Sequence, residues 1–212
     1  MDHKKMLENY VRKPMDIEKG SFEIITEEMG PHDFDEKTAP IVKRVIHTTA
    51  DFEYADLLDF HPDAVEAGMQ ALKEGSDIYA DTNMVMAGIN KRKLSEYGGK
   101  VYHRVHDEDV VVEAKERSIT RSMVAIEKAC HDENTKIFAI GNAPTALFTL
   151  IEEIQKGNIK PALIVGVPVG FVGAEESKEL LRTLDIPYIV VRGRKGGSPV
   201  AATIINAMLY QL

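Results

Sequence analysis

The sequence predicts an α/β fold built as a single domain over residues 1–212: a mostly parallel sheet of about five strands, flanked by helices on both faces in three layers. Three observations predict it. From residue 136 a strand, a glycine-rich loop and a helix follow one another three times, which is the rhythm of βαβ units. The strand segments Lys136–Gly141, Pro161–Gly166 and Ile186–Val191 are near-continuous aliphatic runs, as strands covered on both faces are. A chain of 212 residues that is 44% hydrophobic can bury a full core.

Pro14 to Met29 reads as a helix. Pro14 suits the first turn, Ile17, Ile24 and Ile25 give an apolar side, and Gly30-Pro31 stops it. Ser21 lies inside this helix, where its plainest role is an exposed hydroxyl. Residues 38–51 form the next helix, with Val42, Val45, Ile46 and Thr49 at i, i+3, i+4, i+7 on one buried stripe. His47 lies off that stripe, and Arg44, three residues earlier, is its neighbour on one face. Phe52 to Phe60 reads as a short helix, and His61-Pro62-Asp63 as a break. Asp63 to Lys73 is an amphipathic helix closed by Gly75. Asp77 to Asp81 is a short strand with a polar tip, and Thr82 or Asn83 caps a helix over Met84–Ile89. Lys91-Arg92-Lys93 is a solvated basic run. Lys100 to Val105 is a second strand, and Val110 to His131 is mainly helical with Arg121 between Thr120 and Ser122. The last three helices run from Asn142 through Lys156, from Ala174 to Leu184 and from Pro199 to Leu212.

The net charge of −8 argues against a nucleic-acid partner, which needs a basic surface. Cys130 is the only cysteine, so no disulfide forms within the chain and a reducing cytoplasm suits it. It reads as a small packing residue. Met1 to Asp16 carries lysines but no apolar h-region, so no signal peptide is expected. Pro161 to Ala174, the most apolar stretch, is too short for a bilayer and is broken by Gly166, Pro168, Gly170 and Gly173, so no membrane partner is expected. His103 and His106 point to opposite faces if they share a strand, and neither HExxH nor a cysteine pair is present, so no metal site is expected.

In open α/β sheets ligands bind beyond the carboxyl ends of the strands. The turns Gly141-Asn-Ala-Pro144, Pro168-Val-Gly-Phe-Val-Gly173 and Arg192-Gly-Arg-Lys-Gly-Gly-Ser198 crowd to that edge, each leading into a helix N-terminus whose free N–H groups favour anions. The third adds Arg192, Arg194 and Lys195. An acidic chain that gathers cations and amide donors at one edge suits a polyanionic small ligand. Neither G-x-G-x-x-G nor G-x-x-x-x-G-K-[ST] occurs, which disfavours a nucleotide. Read locally, the same glycines also serve as tight turns, and His47 also reads as a surface or capping residue near a helix end. An imidazole is, however, the side chain whose unperturbed pKa suits proton transfer near neutrality.

Gly141-Asn-Ala-Pro-Thr-Ala-Leu-Phe148, Pro168-Val-Gly-Phe-Val-Gly-Ala-Glu-Glu-Ser-Lys178 and Val191-Arg-Gly-Arg-Lys-Gly-Gly-Ser198 resemble the signature segments of the precorrin-8X methylmutase family. Arg44-Val-Ile-His47 and Thr120-Arg-Ser122 resemble it too, and the likeness runs from about Ser21 to about Ala207. The resemblance implies an isomerase of cobalamin biosynthesis. It moves a methyl group from C-11 to C-12 of precorrin-8X or cobalt-precorrin-8, giving hydrogenobyrinate or cobyrinate, with no external methyl donor and no cofactor. It implies a flavodoxin-like, Rossmann-like core and a homodimer with the site near the subunit interface. The family's essential histidine aligns with His47, and its substrate-contacting serine and arginines with Ser21, Arg44 and Arg121. Asn142, Arg192, Gly193, Gly196, Gly197 and Ser198 join these as expected substrate-binding positions, because the loops meet a ligand rimmed with carboxylates. The segment Thr48-Thr49-Ala50 departs from the Ala-Cys-Gly form of some members. The alternative reading is a non-catalytic tetrapyrrole carrier, for which His47 is dispensable.

Overall fold

The computed structural model describes residues 13–212, and most of the N-terminal stretch read for a signal peptide lies outside them. In chain order the elements are α1 (Pro14–Met29), α2 (Thr38–Thr49), α3 (Tyr54–Leu57), β1 (Leu58–Phe60), α4 (Ala64–Lys73), β2 (Asp77–Ala80), α5 (Asn83–Gly88), α6 (Lys91–Ser95), β3 (Val101–Tyr102), α7 (Glu108–Glu116), α8 (Arg121–Ala129), β4 (Thr135–Ile140), α9 (Pro144–Gln155), β5 (Leu163–Gly166), α10 (Ala174–Leu181), β6 (Tyr188–Val191) and α11 (Ser198–Leu209). The strands form one sheet in the order β1-β6-β5-β4-β2-β3. All neighbours run parallel except β1, which lies antiparallel on β6 with Leu58 opposite Val191.

Among the described residues the sheet therefore has six strands, one more than expected. The extra strand lies in Phe52–Phe60, read from sequence as a helix. Only Tyr54–Leu57 is helical there, and Leu58-Asp59-Phe60 extends along the edge of β6. The ladder continues on both sides of it, where Arg192 N–H donates to Leu57 O at 2.9 Å and His61 N–H to Tyr188 O at 2.9 Å. A three-residue strand has no periodicity of its own; its conformation follows from a partner some 130 positions away, and tertiary pairing overrides local preference.

Val110–His131 is likewise two helices, α7 and α8, rather than one. Ser118 at φ 53° breaks the run, and Thr120 restarts it by accepting a hydrogen bond from Met123 N–H. Arg117 spans the break, bridging Glu113 on α7 and Glu127 on α8. This split makes Arg121 the first residue of α8 instead of a mid-helix residue.

The two sheet faces carry separate cores. One packs α2, α4, α5 and α11 through residues such as Ile41, Val45, Leu72, Val85 and Ile204 onto Ile78, Ile137, Val165 and Ile189. The other packs α7, α8, α9 and α10 through Val110, Val124, Leu147 and Leu181 onto Tyr79, Phe138, Ile164 and Val190. The alternation along each strand assigns successive side chains to opposite cores, so the strands need to be apolar throughout.

Candidate active site

His47 stands exposed in the last turn of α2. The buried stripe Ile41, Val42, Val45 and Ile46 anchors the helix and leaves the imidazole outside the core. The ring stacks on Phe22 of α1, with centroids 5.2 Å apart and planes at 13°. The Arg44 guanidinium lies over the same Phe22 ring at 5.2 Å and over Tyr210 at 4.7 Å, and donates to Glu18 at 3.3 Å. Phe22 thus orients both groups from one side. Beside it a hollow of about 310 Å³ is lined by Ser21, Ile25, Ile46, His47, Ala50 and Phe52. Ser21 Oγ donates to Ile17 O at 2.8 Å, which leaves its lone pairs without a partner in that bond. Ser21, Arg44 and His47, distant in part in sequence, therefore come together. They do so between α1 and α2, at one side of the sheet.

The strand ends supply a second group. Asp81, directly after β2, is almost fully buried, and its carboxylate accepts from the N–H groups of Gly141, Asn142 and Ala143 at 3.1, 2.7 and 2.8 Å. Burial pushes this carboxyl above its usual value, while the three N–H donors oppose that shift. The loop into α9 is held in place by one side chain, and Asn142 is presented to solvent from it. Gly141 lies against the backbone of Ser198; a Cβ there would come within 2.8 Å of the Ser198 Cα. Thr82 Oγ1, which caps α5, shares a hydrogen bond with Ser198 Oγ at 3.2 Å. Asn142 and the Gly196–Ser198 turn are thus neighbours at the mouth.

Lys195 joins the two groups. Its ammonium pairs with Asp51 and with Glu53, the latter at 2.6 Å, just beyond the end of α2. These two hydrogen bonds raise the Lys195 pKa, and Lys195 in turn holds the Asp51 carboxyl below its usual range. Lys195 is thereby occupied, whereas the sequence alone counted it among the cations available to a ligand. Arg192 donates to the Asp56 carbonyl, and Arg194 lies over the exposed Phe171 ring at 5.5 Å.

Arg121 is not brought to His47. It is exposed at the first position of α8, beside a Thr120–Thr145 hydrogen bond of 3.2 Å. That places it at the start of α9, on the opposite face of the sheet from α2. Among the described residues it has no ion-pair partner. His103 and His106 stand edge to face at 5.6 Å, and among the described residues no group of three His, Cys, Asp or Glu is placed to hold a metal ion.

Sequence reasoning passed over Asp81, Phe22 and Lys178. Lys178 had a signal: Ala174, Ser177, Lys178 and Leu181 fall at i, i+3, i+4, i+7, so a lysine occupies the buried stripe of α10. Asp81 and Phe22 had none, since each acts on a segment remote in the chain.

The model of the precorrin-8X methylmutase family matches residues 16–211. A cobalt-precorrin-8 methylmutase of Priestia megaterium is 47% identical over 208 residues, covering 98% of this chain and 92% of its own. A precorrin-8X methylmutase of Pseudomonas aeruginosa is 40% identical over 202 residues, covering 94% and 97%. The crystal structure of the precorrin-8X methylmutase from Thermus thermophilus superposes with a TM-score of 0.84 at 39% identity, covering 92% of this chain and 96% of that one. A match that spans both faces of the sheet and every loop at its mouth is a match of whole architecture, and the chain belongs to the precorrin-8X methylmutase family.

Proposed function

We propose that the protein isomerises precorrin-8X or cobalt-precorrin-8, moving a methyl group from C-11 to C-12 to give hydrogenobyrinate or cobyrinate, with His47 as proton donor and acceptor. Residues 1–212 act as one domain in this reading. The observation that carries it is the exposed His47 imidazole, held face to face on Phe22 beside a hollow that also meets Ser21. Cobalt, where present, belongs to the substrate.

The macrocycle carries acetate and propionate carboxylates. Arg44, Arg121, Asn142 and the Arg192–Ser198 loop, with Gly193, Gly196 and Gly197, meet that rim, and Ser21 contacts the ring beside His47. His47 then protonates the conjugated system near ring C. Electron density is drawn from C-11, the methyl shifts to C-12, and the proton returns to the imidazole. General acid–base work of this kind contributes typically about 10²–10⁴-fold, and holding the ring in the migrating geometry adds to it.

We further propose that the enzyme works as a homodimer in the cytoplasm. Phe171 and Val172, 83% and 89% exposed at the mouth, support a partner copy near the site. A single, buried cysteine supports a reducing compartment, and no helix among the described residues is long and apolar enough to cross a membrane. Sedimentation gives the oligomeric state.

The test of the reaction is a pair of incubations with precorrin-8X or its cobalt form, native protein against His47→Ala, followed by absorbance as the corrin forms. Conversion by the native protein and a drop of about 10²-fold or more in the variant, with pigment still bound, is the expected result. Binding without conversion by either protein points to the carrier reading. Equal conversion by both removes His47 from the chemistry.

A further inference from the structure

The Arg192–Ser198 loop has an unusual division of its backbone groups. Three successive carbonyls turn inward, each to a different element. Arg194 O accepts from Gly170 N–H at 3.2 Å, Lys195 O from the Lys178 ammonium at 2.9 Å, and Gly196 O from the Tyr54 hydroxyl at 3.5 Å. Gly197 N–H closes the turn onto Val167 O at 2.9 Å. Residues 193–194 form a turn, and the N–H groups of Gly193, Arg194 and Gly196 have no acceptor among the described residues. Free backbone amides ahead of a helix N-terminus can form a concavity for anions. It exists only while the carbonyls stay turned away.

Of the three inward bonds, the one from Lys178 is the shortest and the only one from a charged donor. Lys178 has no solvent exposure, and its side chain rises from the buried stripe of α10 beneath the loop. Nothing in the proton transfer at His47 uses it. A lysine on a buried stripe loses hydration, so its place there needs a compensating contact, and the Lys195 carbonyl is the acceptor it reaches.

We propose that Lys178 is a positioning residue that pins the Lys195 carbonyl inward and so presents the amides of Gly193, Arg194 and Gly196 to the substrate's carboxylates. The proposal rests on the reading that this loop contacts substrate. Burial pushes the ammonium down to about 8, with Glu175 and Glu179 pulling it partly back, so the donor is predominantly charged at neutral pH.

The experiment compares Lys178→Met with Lys178→Gln, which keeps a donor on a shorter arm. Two readouts are taken on the full chain: hydrogen exchange without substrate at the Gly170 and Gly197 amides, whose bonds to Arg194 O and Val167 O tie the loop, and the separate KM and kcat for precorrin-8X conversion. The expected result for Lys178→Met is faster exchange at the Gly170 and Gly197 amides, with KM raised about tenfold, the scale of one buried charged hydrogen bond, and kcat within about twofold. Lys178→Gln then recovers part of both. Unchanged exchange in the folded Met variant overturns the pinning role. Faster exchange with unchanged KM overturns instead the contact between loop and substrate. If the Met variant does not fold, the same two readouts on Lys178→Gln against native decide it, since the shorter arm loosens the loop if the bond matters and leaves it unchanged if it does not.

Discussion

The two walls of the candidate site are built in opposite ways. The Arg192–Ser198 wall is tied by Lys178, Tyr54, Gly170 and Val167 from behind and by Asp51 and Glu53 from the side. The α1 wall, which brings Ser21 and Phe22 to His47, has one fully buried side chain, Ile25, and leaves Met15, Ile17 and Ile24 exposed. It carries no side-chain cap at its start, and its link to Arg44 through Glu18 is half-exposed, a kind of pair that contributes little. Segments with few buried apolar contacts open locally at small free-energy cost. The difference teaches that the loop at the strand ends is held from several sides, whereas the helix beside the imidazole is lightly held.

The largest effect that would break this comparison is expected at the rigid mouth. Asp81→Ala leaves three amides, two of them on buried residues, without an acceptor, which costs about 3–5 kcal/mol and lowers the melting temperature by roughly 10 °C for a chain of this size. Asp81→Asn keeps an acceptor oxygen and should lose less; a thermal melt of both variants that shows no loss removes Asp81 as the clamp.

Next comes the pH dependence of the clamp beneath the loop. The folded-state pKa of Lys178 is lowered to about 8 by burial, while an unfolded lysine titrates near about 10.4. Between those values the unfolded chain binds the extra proton, so this group's contribution to stability rises with pH through about 8 to 10.4. The melting temperature of native protein relative to Lys178→Met should therefore increase from pH 7.5 to pH 10. A flat difference means that the ammonium is hydrated.

Ile25→Ala sharpens the comparison from the other wall. A core isoleucine truncation costs about 2–5 kcal/mol when its loss is felt globally. Here local detachment of α1 caps the loss, so hydrogen exchange should quicken across residues 14–29 while the global melting temperature falls by less than about 5 °C. A large cooperative drop instead means that α1 is integral to the core.

The smallest effect lies between the walls. Ala50 ends α2 in the left-handed region at φ 52°, with its N–H bonded to Ile46 O, a position at which glycine carries no steric penalty. Ala50 also lines the hollow beside His47. Ala50→Gly should gain about 0.5–1 kcal/mol, the left-handed strain relieved less the added freedom of the unfolded chain. A melting temperature that falls shows that the methyl group packs usefully there.

What the sequence determined by itself is what short-range pattern determines. Aliphatic runs such as Pro161–Gly166, followed by glycine turns, specify buried parallel strands and place three loops at one edge. The stripe Val42, Val45, Ile46 faces the core and leaves His47 outside it, and the resemblance of the loops identified the family. Only the tertiary structure decided the antiparallel strand Leu58–Phe60, the break at Ser118, the Asp81 clamp, the pairing of Lys195 with Asp51, and the placement of the Arg121 and His47 helices on opposite faces of the sheet. The reason is physical. A helix stripe or a buried strand is set by neighbours within one or two turns of chain. A three-residue strand, a buried carboxylate or a free guanidinium takes its state from partners tens to more than a hundred residues away, brought close only when the sheet closes.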